Sequence, residues 1–170
     1  MPSARYLGLI VEGAREAKLN PEYIEKVASH AVYKATQELK DKRALLPTPE
    51  TLKKITTAEL AELNEKDEKN WIIAVCGYVM RLKNTNKEKS PDGYGVIPHY
   101  RGKENTRRVL TWLAGKDTSA DPKIGEAPFP DVDTLTADQK EYVMQWVDHW
   151  WTHHCENDQD CILGFIADWD

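Results

Sequence analysis

The sequence predicts a mainly α fold, a compact helical domain with at most one or two short strands. Apolar residues recur at helical spacing near the N-terminus, and a helix-capping signal precedes a second periodic segment after residue 136. Strands are expected only around residues 71–82, which are rich in β-branched and aromatic side chains, and around residues 161–166. We therefore expect helices to form most of the core.

The first 46 residues are predicted to be largely helical. In Ser3–Lys18, small and apolar residues follow an i, i+3, i+4, i+7 pattern, which is typical of one buried helix face: Tyr6, Ile10, Gly13, Ala14 and Ala17. An Asn-Pro pair beginning at Asn20 predicts the start of a second helix. We group residues 1–46 as one helical segment and residues 47–170 as a helical extension packed on it, in one domain overall.

The extension alternates predicted helices with loops. Thr57 begins a further short helix, and residues 71–82 form either a buried strand or a buried helix, since their length suits both. Residues 83–99 and 116–132 are rich in turn-forming residues and are predicted to be loops. Residues 104–114 form a helix that ends before a glycine.

The clearest helix of the chain lies near the C-terminus. Thr136 and Gln139 have the spacing of a capping box, in which each side chain bonds the backbone N–H of the other. The apolar stripe that follows predicts a helix to about His154.

Composition and charge narrow the classes of function. The net charge is −5 at pH 7, and nonspecific nucleic-acid binding instead depends on basic residues that neutralise phosphates. No apolar run approaches the roughly 20 residues of a membrane-spanning helix, and the N-terminus lacks a signal-peptide pattern. The three cysteines are irregularly spaced, which argues against a disulfide framework. We expect a cytoplasmic protein that binds neither membranes nor nucleic acid.

One candidate metal site lies at the end of the last predicted helix. His149 and His153 are four residues apart and would project from one face, as metal-binding imidazoles do, and Cys155 could add a ligand if the chain turned back. Helical geometry points Cys155 away from the histidines, however, and the histidines could instead satisfy the carbonyls at the helix end. We expect no bound metal or cofactor.

The same helix and a basic loop are a candidate interaction surface. Trp146 and Trp150 lie on the predicted buried stripe, whereas Trp151 would protrude as an aromatic anchor. Arg101 and Lys103 precede a predicted helix, where backbone N–H groups can hold an anion. The predicted interaction residues are therefore Trp151, Arg101 and Lys103.

The N-terminal segment resembles part of a known enzyme family. The matching residues follow one fixed spacing: Pro2, Ser3, Tyr6, Ile10, Gly13, Ala14, Glu16, Leu19, Glu22 and Tyr23. Residues from Pro2 to about Val27 are thereby similar to the C-terminal part of γ-glutamylcyclotransferase-like proteins, in which a PSxxY motif leads into a helix with a Gly-Ala pair.

The resemblance implies an activity and one site residue. Family members cleave a γ-glutamyl amide by intramolecular attack of the substrate's amine and release 5-oxoproline without a metal or cofactor. They use a glutamate as acid and base and a YGSN-type loop as oxyanion donor. Both elements precede the PSxxY motif, and this chain contains neither. Tyr6 matches the motif tyrosine that lines the family's active site, and it is the substrate-binding residue that carries over.

Three functions follow as alternatives. The first is a binding or interaction module that keeps the family's C-terminal segment and acts through a protein partner. The second is part of a γ-glutamylcyclotransferase whose catalytic portion is absent from this chain, through truncation, location on a separate chain or the choice of gene model. The third is a new enzyme or metal protein centred on His149, His153 and Cys155. We expect the first, and whether the chain is an enzyme stays open.

Overall fold

The computed structural model describes residues 4–14, 37–83, 100–106, 109 and 136–168. The helices that lie wholly within these ranges are α1 (Ala4–Ala14), α2 (Gln37–Arg43), α3 (Thr57–Lys66) and α4 (Ala137–Cys155). The strands are β1 (Lys54–Ile55), β2 (Ile72–Val75), β3 (Tyr78–Arg81) and β4 (Ile162–Ile166). Short 3-10 turns, Pro49–Thr51 and Gln159–Cys161, precede β1 and β4.

The four strands form one mixed sheet in the order β1-β4-β3-β2. Strands β2 and β3 form an antiparallel hairpin, β4 is antiparallel to β3, and β1 runs parallel to β4. Residues 100–106 lie along the outer edge of β2, where Gly102 N–H donates to Ile72 O at 2.7 Å and Ala74 N–H donates to Lys103 O at 3.0 Å. This segment satisfies backbone groups that an uncovered edge strand would leave unpaired.

The sheet shows that the prediction of a mainly α, all-helical fold is wrong, because the chain has a mixed α/β fold. Strands do occur within residues 71–82 and 161–166, but the first stretch contains two strands instead of one. A two-residue turn divides it, and periodicity over so short an apolar run cannot separate a hairpin from a single element. Strand β1 has only two residues and pairs through a contact distant in sequence, so no local pattern marks it.

The turn between β2 and β3 has a specific chemical basis. Cys76 and Gly77 both have positive φ, 49° and 83°, which is typical of the type I′ turns that suit the twist of a hairpin. Cys76 N–H donates to Thr106 Oγ1 at 2.8 Å, and Gly77 N–H donates to Glu104 Oε2 at 3.0 Å. The covering segment therefore holds both turn residues in place. A Cβ on Gly77 would also lie 2.3 Å from the ring of Phe165.

Helix α4 is the centre of the packing. Its predicted capping box is confirmed, with Gln139 N–H donating to Thr136 Oγ1 and Thr136 N–H donating to Gln139 Oε1. The helix packs against both α1 and β3, and the side chain of Lys140 lies across Gly13 of α1, where a Cβ would be 2.3 Å from Lys140 Cδ. Because neighbours cover it on more than one side, α4 is buried around most of its circumference.

Several predictions lie wholly or partly outside the described residues. The second N-terminal helix and the loop at 116–132 lie wholly outside, and the loop at 83–99 and the helix at 104–114 lie mostly outside. The predicted helix that begins at Thr57 is confirmed as α3. The grouping into residues 1–46 and 47–170 stays a prediction. Within the described ranges, no helix combines the length and apolar character needed to cross a membrane.

Candidate functional site

Helix α4 carries a buried polar face. Glu141, Gln145 and Asp148 occupy positions i, i+4 and i+7, which places them on one side of the helix. They are 2%, 5% and 1% exposed. Buried carboxylates are costly unless they are paired, so this face requires a cationic partner.

Arg43, the last residue of α2, supplies that partner. Its Nη1 and Nη2 donate to the two carboxylate oxygens of Glu141 at 2.6 and 2.8 Å. Its Nε donates to Asp148 Oδ1 at 2.9 Å, and Nη2 also donates to Asp148 Oδ2. One guanidinium thus makes two bidentate contacts, the strongest geometry available to an arginine and a carboxylate. We call Arg43, Glu141 and Asp148 the Arg43 cluster.

The Arg43 cluster is buried and carries unequal charge. The three side chains are 11%, 3% and 2% exposed in that order. Burial lowers the pKa of Arg43, but the hydrogen bonds that it donates to Asp148 and Glu141, and their negative charge, outweigh burial, so the pKa lies above its ordinary value. The guanidinium therefore stays charged. Counted alone, these three side chains have formal charges that sum to −1.

A cavity of about 300 Å³ adjoins this cluster. Its lining comes from α1, from α2 and the turn that follows it, from β3 and from α4: Val11, Arg43, Ala44, Leu46, Thr48, Tyr78 and Met144. Among these lining residues Arg43 alone carries a formal charge at neutral pH. The described part of the wall is therefore mainly apolar and contains one guanidinium.

The turn after α2 is held rigidly against the sheet and the end of α4. The hydroxyl of Tyr78 donates to Pro47 O at 3.0 Å, and Gln159 Nε2 donates to Leu45 O at 2.8 Å. Leu46 N–H donates to Arg43 O at 2.9 Å. Leu45 itself is 53% exposed, the one large apolar side chain so exposed in the described part of the chain. This wall is pre-formed, which lowers the entropic cost of binding.

The structure brings together two of the three predicted metal ligands. The ring centroids of His149 and His153 are 5.0 Å apart, whereas the thiol of Cys155 donates to Arg81 O at 3.6 Å. Burial, and secondarily the neighbouring His153 and His154, lower the pKa of His149 to about 4. In the described residues, no group of three or more His, Cys, Asp or Glu side chains is placed to hold a metal ion.

The three predicted interaction residues do not form one surface. Trp151 is fully buried, so the prediction that it protrudes is wrong, because α4 is covered on more than one side instead of lying on the surface. The guanidinium of Arg101 lies 4.5 Å from the ring centre of Trp71 and makes a cation–π contact. Lys103 is exposed, beside the edge of β2.

Tyr6 belongs to α1, but its side chain lies outside the described residues, so its role in substrate binding stays a prediction. Cys76 has the positive φ seen in some nucleophiles, yet it is fully buried. Burial, together with the nearby Glu104, raises the pKa of the Cys76 thiol well above its usual value. This keeps the thiol protonated and unreactive.

The sequence interpretation missed the Arg43 cluster. A signal was present, since Glu141 and Asp148 lie seven residues apart, two helical turns, on a helix with apolar residues on its other sides. A carboxylate pair at that spacing indicates a cationic partner if the helix is covered all round. The partner itself lies about one hundred residues away in the chain, which no spacing rule identifies.

Comparison with known proteins gives no information on the function of this chain. The resemblance of residues 2–27 to γ-glutamylcyclotransferase-like proteins stays a prediction. Protein-family models, curated proteins and solved structures all gave no match to the chain.

Proposed function

We propose that the chain is a binding module and that its site is the cavity beside the Arg43 cluster. The observation that carries this proposal is a partly open, mainly apolar cavity of about 300 Å³, bounded in the described part of the chain by residues from α1, α2, β3 and α4. Small-molecule sites are mostly apolar concavities with a few polar groups that fix orientation. The described wall has this composition.

The size of the cavity indicates the size of the ligand. Sites for drug-sized molecules range from about 300 to 1,000 Å³, so this cavity suits a compact molecule. The apolar side chains of Val11, Leu46 and Met144 supply the contacts that burial of such a molecule requires. The guanidinium of Arg43 is already paired with Glu141 and Asp148 and does not need a ligand to neutralise it.

Binding of benzene, followed by NMR on the full chain, tests this proposal. Benzene is a suitable probe because it can occupy apolar cavities without a specific polar contact. We expect benzene to shift the methyl resonances of Val11, Leu46 and Met144. An Ala44→Trp variant should abolish the shifts, because Ala44 lines the cavity yet is exposed, so a larger side chain can block it without disturbing the core.

The matched control is Ala61→Trp, an equally exposed alanine on α3 that is not among the lining residues. This variant should bind benzene like the unmodified chain. Unchanged methyl shifts in Ala44→Trp would place the binding elsewhere, and the absence of any shift in the unmodified chain would refute the proposal.

A further inference from the structure

Two buried cysteines meet where the chain leaves α4. Cys155 is the last residue of α4, and Cys161 ends the 3-10 turn that precedes β4. They are 0% and 3% exposed, and both carry free thiols. Neither is among the described residues that line the cavity, so an inference about this pair does not rest on the proposed function.

The segment between the two cysteines folds the chain back on itself. Glu156 and Asn157 both have left-handed backbone conformations, with φ of 54° and 56°. Asp158 N–H donates to Cys155 O at 2.9 Å, and Cys161 N–H donates to Asp158 O at 3.0 Å. Each of these bonds closes a tight turn, so the two cysteines come together although they are six residues apart.

The contacts of the two thiols identify them as neighbours. The thiol of Cys161 donates to Cys155 O at 3.8 Å, and the thiol of Cys155 donates to Arg81 O at 3.6 Å. Burial is the main influence on both thiols and raises the pKa of each. The contact between the two thiols raises the pKa of Cys155 further, but it opposes the effect of burial at Cys161. Cys161 is therefore the thiol that ionises first.

The surroundings of Cys161 favour the same assignment. The ammonium of Lys83 pairs with Asp158 at 2.5 Å, on the turn between the cysteines. The positive charge of Lys83 lowers the pKa of Cys161, against the opposing effects of burial and Asp158. The neighbouring Gln159 and Asp160 are exposed, so a local opening of this turn brings Cys161 into contact with solvent.

We propose that Cys155 and Cys161 are a dithiol that low-molecular-weight disulfides convert reversibly into an intramolecular disulfide, which ties the end of α4 to the start of β4. The thiolate of Cys161 attacks one sulfur of the reagent, a mixed disulfide forms, and one reagent thiolate leaves. The thiolate of Cys155 then attacks the Cys161 sulfur, the protein disulfide forms, and the second reagent thiolate leaves. The two protein thiols lose two electrons and two protons, and the reagent gains both as it becomes two thiols.

Oxidised glutathione, added to the folded and reduced full chain, tests the proposal. After overnight exposure at pH 8, the sample is quenched in acid and alkylated in denaturant, and mass spectrometry counts the remaining thiols. We expect one alkylated thiol, at Cys76, and a Cys155–Cys161 disulfide in the peptide map. We also expect no retained glutathione and an NMR spectrum that keeps its native dispersion. Dithiothreitol should restore all three thiols.

Several results would overturn the proposal: three alkylated thiols, a disulfide that includes Cys76, retained glutathione, or a disulfide that forms only with loss of the native spectrum. Cys76→Ser is the matched control, since it removes the third buried thiol. This variant should form the same disulfide as the unmodified chain, and failure to do so would assign the oxidation to Cys76.

Two variants test the order of attack. Cys155→Ser should stop at the mixed disulfide, with one glutathione on Cys161, because the second thiol is missing. Cys161→Ser should take up glutathione at least about fivefold more slowly, because Cys155 is fully buried and its pKa is raised more strongly. Equal uptake by the two variants would contradict the assigned order. The thiol count on the unmodified chain decides whether the pair forms even if a serine variant fails to fold.

Discussion

Replacement of Arg43 by methionine should be among the most destabilising single changes in the described part of this chain. Methionine keeps most of the aliphatic length but removes all contacts to Glu141 and Asp148, whose side chains are 3% and 2% exposed. Two buried carboxylates then lose the guanidinium that pairs them. Breaking a buried ion pair in this way costs about 3–5 kcal/mol, which is a large part of the stability of an ordinary domain.

Urea unfolding at pH 7 measures the effect. With a slope of about 2 kcal/mol per molar urea, the midpoint should fall by about 2 M. The loss should shrink near pH 5, since burial and like charge raise the pKa of carboxylates that lose their guanidinium. Their folded-state pKa then exceeds the unfolded value, so the folded variant binds more protons and gains stability as the pH falls.

A combined variant provides the control. Arg43→Met with Glu141→Leu and Asp148→Leu removes all three charges, and it should recover at least half of the loss, because apolar residues often replace a buried ion cluster at little cost. A loss below about 1 kcal/mol in Arg43→Met would show that the carboxylates reach water, in the range of exposed pairs. That result would refute the description of the cluster as buried.

Three other outcomes follow from the structure and are measured by urea unfolding. Gly77→Ala should lower the free energy of unfolding by about 3 kcal/mol, because Gly77 has a positive φ and its Cβ position lies too close to Phe165. Gly8→Ala in α1, where the Cβ position is open, should instead raise it by about 0.5–1 kcal/mol. Equal effects of the two variants would contradict the turn geometry. Thr136→Ala and Thr56→Ala each remove a capping box and should each cost about 1 kcal/mol, and no loss in either would show that caps are dispensable here. Between pH 6.5 and 4 the stability should fall by up to about 3 kcal/mol, because the unfolded chain binds a proton at His149 that the folded chain, with its pKa lowered to about 4, does not. His149→Gln should flatten this part of the profile, and an unchanged slope would assign it to other groups.

Local signals predicted the elements that carry strong patterns of their own. The capping box at Thr136 and the apolar periodicity behind it predicted α4 within one residue at its C-terminal end. The β-branched and aromatic content of residues 71–82 marked a buried stretch. Their division into β2 and β3 depends on a turn whose two N–H groups are held by Glu104 and Thr106. This support comes from about thirty residues further along the chain, so the local pattern left helix and strand undecided.

The candidate site shows the same limit more strongly. The sequence shows its carboxylates as polar positions on α4. Their role as ion-pair partners depends on Arg43, which the fold brings from α2, and on the neighbouring elements that bury all three side chains. The prediction that Trp151 protrudes was wrong, and Cys155 lies apart from the histidines. Both outcomes arise because α4 has neighbours on more than one side, and helical spacing alone does not show which faces are covered.

The sequence by itself thus determined where several helices begin, where apolar stretches lie and that the described helices would not be suited to a bilayer. Only the tertiary structure decided that these parts form a mixed sheet backed by α4, and that one arginine and two carboxylates meet beside a cavity. The physical reason is that capping and periodicity act over a few residues, whereas strand pairing and charge burial depend on contacts between residues far apart in the chain.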